Sequence, residues 1–133
     1  MKNIRGYIFS RTFMGERVPQ HIQNIVIRDQ CAKKGLNFLL SATEYAMEGC
    51  HLILEEVMLE LSYIDGIIFY SLFQLPEENK HRRSIYQRAL SLNKTIYFAV
   101  EDLALSKSLD IDRIELLNPN VRKDNLGQLF QLY

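Results

Sequence analysis

The sequence predicts a small three-layer α/β domain with a mainly parallel sheet of about four strands. Three observations carry this expectation. Four short apolar runs recur along the chain, each is nearly continuous rather than alternating, and helical patterns fill the gaps between them. A continuous apolar run suits a strand covered on both faces, as parallel strands are. Strand and helix alternating at these lengths imply right-handed crossovers between parallel neighbours. At 133 residues the chain is the size of one domain, large enough to bury a core without staples. A single domain over 1–133 is expected, with its core over about 4–105 and a tail over 106–133.

The first strand is "IRGYIFS" (4–10), rich in β-branched and aromatic residues and closed by a hydroxyl. Pro19 suits the first position of a helix, and Ile22, Ile25 and Val26 carry near-helical spacing on toward Cys31 and Gly35. "LNFLLSA" (36–42) is the second strand, and a helix over about 49–63 follows with Leu54, Val57, Met58 and Leu61 inward. "DGIIFYSLF" (65–73) is the third strand. A helix from Pro76 has Glu77 and Glu78 in its first turn, where acids favour the helix dipole. Its inward side uses Ile85, Ala89 and Leu92. "KTIYFAVED" (94–102) is the fourth strand. Beyond it come one or two helical turns over 109–117 and an Asn-Pro-Asn break. The apolar end (Leu126, Leu129, Phe130, Leu132, Tyr133) is too greasy to leave wet. It is expected to pack on the domain or to cover a second copy in a homo-oligomer.

Sixteen basic residues balance sixteen acidic ones. The chain therefore lacks the positive field that supplies non-specific nucleic-acid affinity, which argues against a nucleic-acid partner. Cys31 and Cys50 lie apart without CxxC spacing and read as free thiols in a reducing compartment. No run approaches the length of a membrane span, and the N-terminal residues have no signal-peptide shape. A cytoplasmic location is expected.

Ligands of open parallel sheets meet the carboxyl ends of the strands, where loops converge and helix N-termini point amide donors. The first strand ends in Ser10, Arg11 and Thr12, and the second delivers Ser41, Thr43, Glu44 and Tyr45. The third gives Ser71 and Gln74, and the fourth Glu101 and Asp102. Gln20 and His21 open the first helix, with Gln23 and Asn24 one turn in. Arg11 and Arg17 flank Gly15. An arginine fork beside a helix start suits phosphate or carboxylate, and the alternative is a solvated structural loop. Neither GxGxxG nor GK[ST] is present. Ser10 as a nucleophile needs a neighbouring base, and His21 is the nearest in sequence. Glu44 is the leading acid or base, although strand-end carboxylates also cap helices. His51 and His81 read as surface groups and "KHRR" (80–83) as a solvated face. The histidines lack metal-ligand spacing, so no metal and no cofactor is assigned.

"GYIFSRT", "QHIQNIVIRDQCAKKGL", "LILEEVMLEL" and "DGIIFYSLFQLPEE" resemble, in that order, the opening strand, first two helices and third strand of serine recombinase catalytic domains. The resemblance covers about residues 4–105 and implies a resolvase/flavodoxin-like fold. It places Ser10 at the nucleophile position when one alignment gap is allowed, and Arg11 there without the gap. The family's Asp-Arg-Leu-x-Arg motif is replaced here by "SLFQLPEE", which brings acids instead of arginines. "YIFSR-F-GERVPQH-QN-VIRD-C" and "LLSATEYAM" also resemble the sporadic carbohydrate cluster family of bacterial surface-polysaccharide loci. That resemblance implies the binding or modification of a phosphorylated sugar or nucleotide sugar in surface-carbohydrate biosynthesis. Arg11 and Arg17 would hold phosphate, Gln20, His21 and Asn24 would bond the ligand, and Glu44 would act as acid or base. Thr12, Tyr45, Ser71 and Gln74 complete the expected site, with Ser10 orienting or attacking the ligand. The alternative is a non-catalytic interaction or dimerisation module. DNA recombination or processing stands third.

Overall fold

The computed structural model describes residues 1–118, and the tail residues 119–133 lie outside the described residues. In chain order the elements are β1 (Asn3–Phe9), α1 (Gln20–Lys33), β2 (Asn37–Glu44), α2 (Leu52–Glu60) and β3 (Gly66–Phe69). A 3-10 turn (Leu72–Gln74), α3 (Asn79–Ser91), β4 (Thr95–Phe98), β5 (Leu103–Leu105) and α4 (Leu109–Leu117) follow. The sheet order is β2-β1-β3-β4-β5. The first four strands pair in parallel, and β5 runs antiparallel against β4. This is an α/β domain with a mainly parallel sheet, of five strands in place of about four. The apolar run 94–102 stops as a strand at Phe98. Asp102 then takes a left-handed conformation, φ 52°, which Asp tolerates better than most residues. The chain reverses there into a strand of three residues, too short for a periodicity signal.

Both faces of the sheet are apolar. On one, Tyr7, Phe9, Ile67, Phe69, Ile96 and Phe98 pack with Leu54, Val57, Met58 and Leu61 around α2, Ile85, Tyr86 and Ala89 of α3, and Ile111 and Ile114 of α4. On the other, Ile4, Ile8, Ile68 and Ala99 meet Ile27 and Cys31 of α1. Successive residues of β1 thus feed opposite layers, as the two-residue period of a strand requires. Gly6 sits where β1 and β2 slip register. A Cβ there would fall 2.2 Å from the Ser41 hydroxyl oxygen, so any larger residue requires the Ser41 side chain to shift. Among the described residues no helix is long and apolar enough to cross a membrane.

Three expectations need correction. α1 buries Gln23, Ile27 and Cys31 at four-residue intervals, while Ile22 and Ile25 are 39% and 59% exposed. The helix is turned inward on a polar residue because Gln23 closes the end of β1. The "KHRR" stretch is not a uniformly solvated face, since Arg82 is 0% exposed. Pro76 does not open α3, which starts at Asn79; Pro76 lies buried in the preceding segment.

Candidate functional site

A groove of about 790 Å³ opens where the carboxyl ends of β1, β2 and β3 converge. Phe9 and the following loop form one wall, the β2–α2 loop a second, and Phe73 through His81 a third. Beneath it the backbone is held by a clamp of side-chain amides. Gln23 Oε1 accepts from the Phe9 amide at 3.0 Å and from Gln74 Nε2 at 2.9 Å. Its Nε2 donates to the carbonyls of Phe9 at 2.8 Å and Val18 at 2.9 Å. One amide thereby satisfies both backbone groups of the last residue of β1. Ser71 joins the same region: its hydroxyl donates to Glu101 at 2.7 Å and accepts from the Phe73 amide at 3.2 Å.

Glu44 is 1% exposed at the end of β2. It accepts from the Tyr7 hydroxyl at 2.8 Å and from the amides of Ile53 and Leu54, both at 3.1 Å. The Tyr45 amide adds a fourth bond at 3.0 Å. Two of these donors belong to the first turn of α2, whose N–H groups have no partner within the helix. A carboxylate there satisfies them and meets the favourable end of the helix dipole. Burial alone would raise the Glu44 pKa, but the Tyr7 hydroxyl and the three amides outweigh it and hold the carboxyl below its usual range. Burial, reinforced by Glu44, pushes the Tyr7 hydroxyl well above its ordinary value.

The first-loop residues divide. Arg11 Nη1 donates to the carbonyls of Tyr45 at 3.0 Å, Met47 at 3.0 Å and Cys50 at 2.7 Å. Its guanidinium carbon lies 4.1 Å over the Phe9 ring. Arg11 thus ties the end of β1 to the β2–α2 loop and also lines the groove. Arg17 is exposed and shares no partner with Arg11 among the described residues, so the two do not make a fork. Between them Met14 (φ 54°) and Gly15 (φ 74°) form a tight turn closed by a Phe13–Glu16 bridge. Ser10 is half-buried, and its hydroxyl donates to the Glu44 carbonyl at 3.0 Å. His21 and Gln20 are exposed at the start of α1, and no hydrogen bond joins His21 to Ser10 among the described residues. Asn24 accepts from the Ser41 hydroxyl at 2.6 Å. Thr12 lines the groove, and Tyr45 is 51% exposed beside it.

Two groove residues carried no sequence signal. His51 and His81, thirty positions apart in the chain, face each other with ring centroids 5.9 Å apart. His51 lies between the carbonyls of Gly49 and Gln74, each 3.3 Å from a ring nitrogen. Burial, helped by the Arg11 charge, holds its pKa below the usual histidine value. His81 pairs with Glu55. The groove's third wall is anchored from below by Arg82. Its Nε pairs with Glu115 of α4 at 3.1 Å, and its Nη1 donates to the carbonyls of Pro76 (3.1 Å) and Glu77.

A scan against protein-family models finds no match, and no curated protein matches the sequence. The expected membership of the sporadic carbohydrate cluster family therefore has no support. Solved structures share the fold, two of which follow. The N-terminal catalytic domain of TP901-1 integrase is 12% identical, with a TM-score of 0.61 over 97% of this chain and 99% of that one. A resolvase family site-specific recombinase from Streptococcus pneumoniae is 11% identical, with a TM-score of 0.62 over 96% of this chain and 97% of that one. These neighbours overturn the expected role in surface-carbohydrate biosynthesis. Glu44, Ser71 and Gln74 spend their polar atoms on the protein itself.

Proposed function

We propose that this chain is a recombinase-type domain that acts in DNA recombination or processing and meets the DNA backbone at the carboxyl end of β1. The observation that carries this reading is its end-to-end likeness to two domains described as a catalytic domain of an integrase and a site-specific recombinase. Ser10 and Arg11 supply the matching chemistry. In such a transfer the Ser10 oxygen forms a bond to phosphorus as one phosphodiester P–O bond breaks, and the proton lost by the Ser10 hydroxyl is balanced by the one the departing sugar oxygen takes up. Arg11, held by three carbonyls through Nη1, lines the groove.

A second reading is favoured by one observation: Glu48, Glu77 and Glu78 line the same groove as Arg11. Phosphoryl transfer depends on cations around the transferring group. In this reading the domain joins a recombination assembly and leaves strand cutting to a partner. Titration of the full chain into labelled duplex and supercoiled plasmid, followed by denaturing gels, separates the two. The first reading expects binding at low salt that Arg11→Ala weakens, and a protein–DNA adduct that Ser10→Ala abolishes. Binding without an adduct selects the second reading. No binding at about 50 mM salt, where phosphate contacts are strongest, overturns both.

A further inference from the structure

The groove that Arg11 lines carries more negative than positive charge. Glu48 of the β2–α2 loop lines it from one wall, and Glu77 and Glu78, ahead of α3, from another. All three side chains are exposed, and none joins an ion pair among the described residues. Arg11 is the one lysine or arginine among the described lining residues. Its Nη1 is already held by the carbonyls of Tyr45, Met47 and Cys50. His81 is engaged by Glu55, and His51 lies between two backbone carbonyls. Three free carboxylates thus face a groove with one permanent cation.

Between the acidic walls the surface is apolar. Phe13 and Phe73 are half-buried, and Met14, in the same groove, is 56% exposed. Aromatic faces attract cations as well as apolar groups, and methionine adapts its shape to varied partners. The volume of about 790 Å³ is that of a preformed binding cleft. A single small cation would answer one wall and leave the other unpaired. A short peptide segment with several positive side chains and apolar ones between them answers both. We propose that the groove is a docking site for a segment of a partner protein in which arginine or lysine alternates with aromatic or leucine side chains. Its positive groups face Glu48 on one wall and Glu77 and Glu78 on the other, and its apolar groups rest on Phe13, Met14 and Phe73. Charge complementarity of this kind selects the partner more than it adds affinity, so acidic segments are rejected. The proposal holds for either reading of the DNA chemistry, and its test contains no DNA.

Titration of the isotope-labelled full chain with blocked hexapeptides, read by backbone amide shifts, tests it. The probe alternates arginine and phenylalanine, and its two controls carry glutamate for arginine or serine for phenylalanine. Saturable shifts are expected at Phe13, Met14, Gly49 and Phe73, with a dissociation constant below about 1 mM and binding about tenfold weaker for each control. The triple variant Glu48→Gln, Glu77→Gln, Glu78→Gln leaves in place the Arg82 bonds that hold this wall's carbonyls. It should bind the probe about fivefold more weakly, the scale of a few exposed ion pairs. No saturable shift at these residues, equal binding of the glutamate control, or unchanged affinity in the triple variant overturns the proposal. Equal binding of the serine control also overturns it and reduces the site to an acidic patch. Phenethylammonium binding as tightly as the hexapeptide assigns the groove to a small organic cation and overturns the partner segment.

Discussion

Glu44 does the work of several residues with one carboxylate. It ends β2, supplies the first turn of α2 with its missing acceptor, and holds the Tyr7 hydroxyl in the core. Glu44→Gln keeps the shape and loses the charge-assisted bonds, so a cost of about 2–3 kcal/mol is expected in urea unfolding at pH 7. The pH dependence has a definite sign. The folded pKa of Glu44 lies below 4.5, so the unfolded chain takes up the proton first as pH falls. The stabilisation is complete above about pH 4.5 and is lost as pH drops through the lowered folded value. The gap between wild type and Glu44→Gln should therefore close on acidification below pH 4.5. The sequence shows an acid at a strand end, and it offers helix capping and acid–base chemistry as alternatives. Choosing between them needs the position of α2 relative to β2, which residue pattern does not encode. Gln23 shows the converse. The sequence places Gln23 among the polar residues near the start of the first helix but gives no sign that it is buried, yet it is 0% exposed and organises the end of β1.

Among the elements, the turn at Met14 and the pairing of α3 with α4 make distinct predictions. Met14 holds a positive φ of 54° with its side chain 56% exposed. A bulky residue in that region is strained. Met14→Asn is expected to raise stability by about 1 kcal/mol, read as a higher urea midpoint with an unchanged slope. The Arg82–Glu115 pair is buried. Glu115→Gln leaves Arg82 a buried cation without its counter-charge, which should cost about 3 kcal/mol or more. The double change Arg82→Met, Glu115→Leu removes both charges and should recover part of that loss in the same urea assay. Recovery stays incomplete because the Pro76 and Glu77 carbonyls lose their donor. Apolar periodicity placed each long element of the described chain, since burial on two faces writes itself into sequence. It misjudged the rotation of α1 and the depth of Arg82, because both are decided by polar partners 14 and 33 positions away in the chain.

At the scale of the whole molecule, the described elements build a resolvase-type sheet whose groove is walled by three separate chain segments. The parallel order was legible because continuous apolar runs and helical gaps leave few topologies. The groove was not, since His51 meets His81 only after β2, β1 and β3 have been placed side by side. The even balance of charge sets the last prediction. If the domain binds DNA, the affinity rests on few phosphate contacts, so log K should fall with log salt at a slope of about −1 to −3. A slope near −6 or steeper would require more phosphate contacts than an evenly balanced chain is expected to make.

The Gln23 clamp has one more consequence, for the order of events in time. Its bonds to Phe9, Val18 and Gln74 join β1, the loop before α1 and the turn after β3. They close only once all three have arrived, which predicts that they form late on the folding route, after the barrier. Interactions made that late leave the folding rate nearly untouched and govern how fast the native state comes apart. In a chevron plot Gln23→Leu should lift the unfolding arm and spare the folding arm. The clamp then acts as a brake on escape from the native state, and the lifetime of the groove follows the lifetime of that brake.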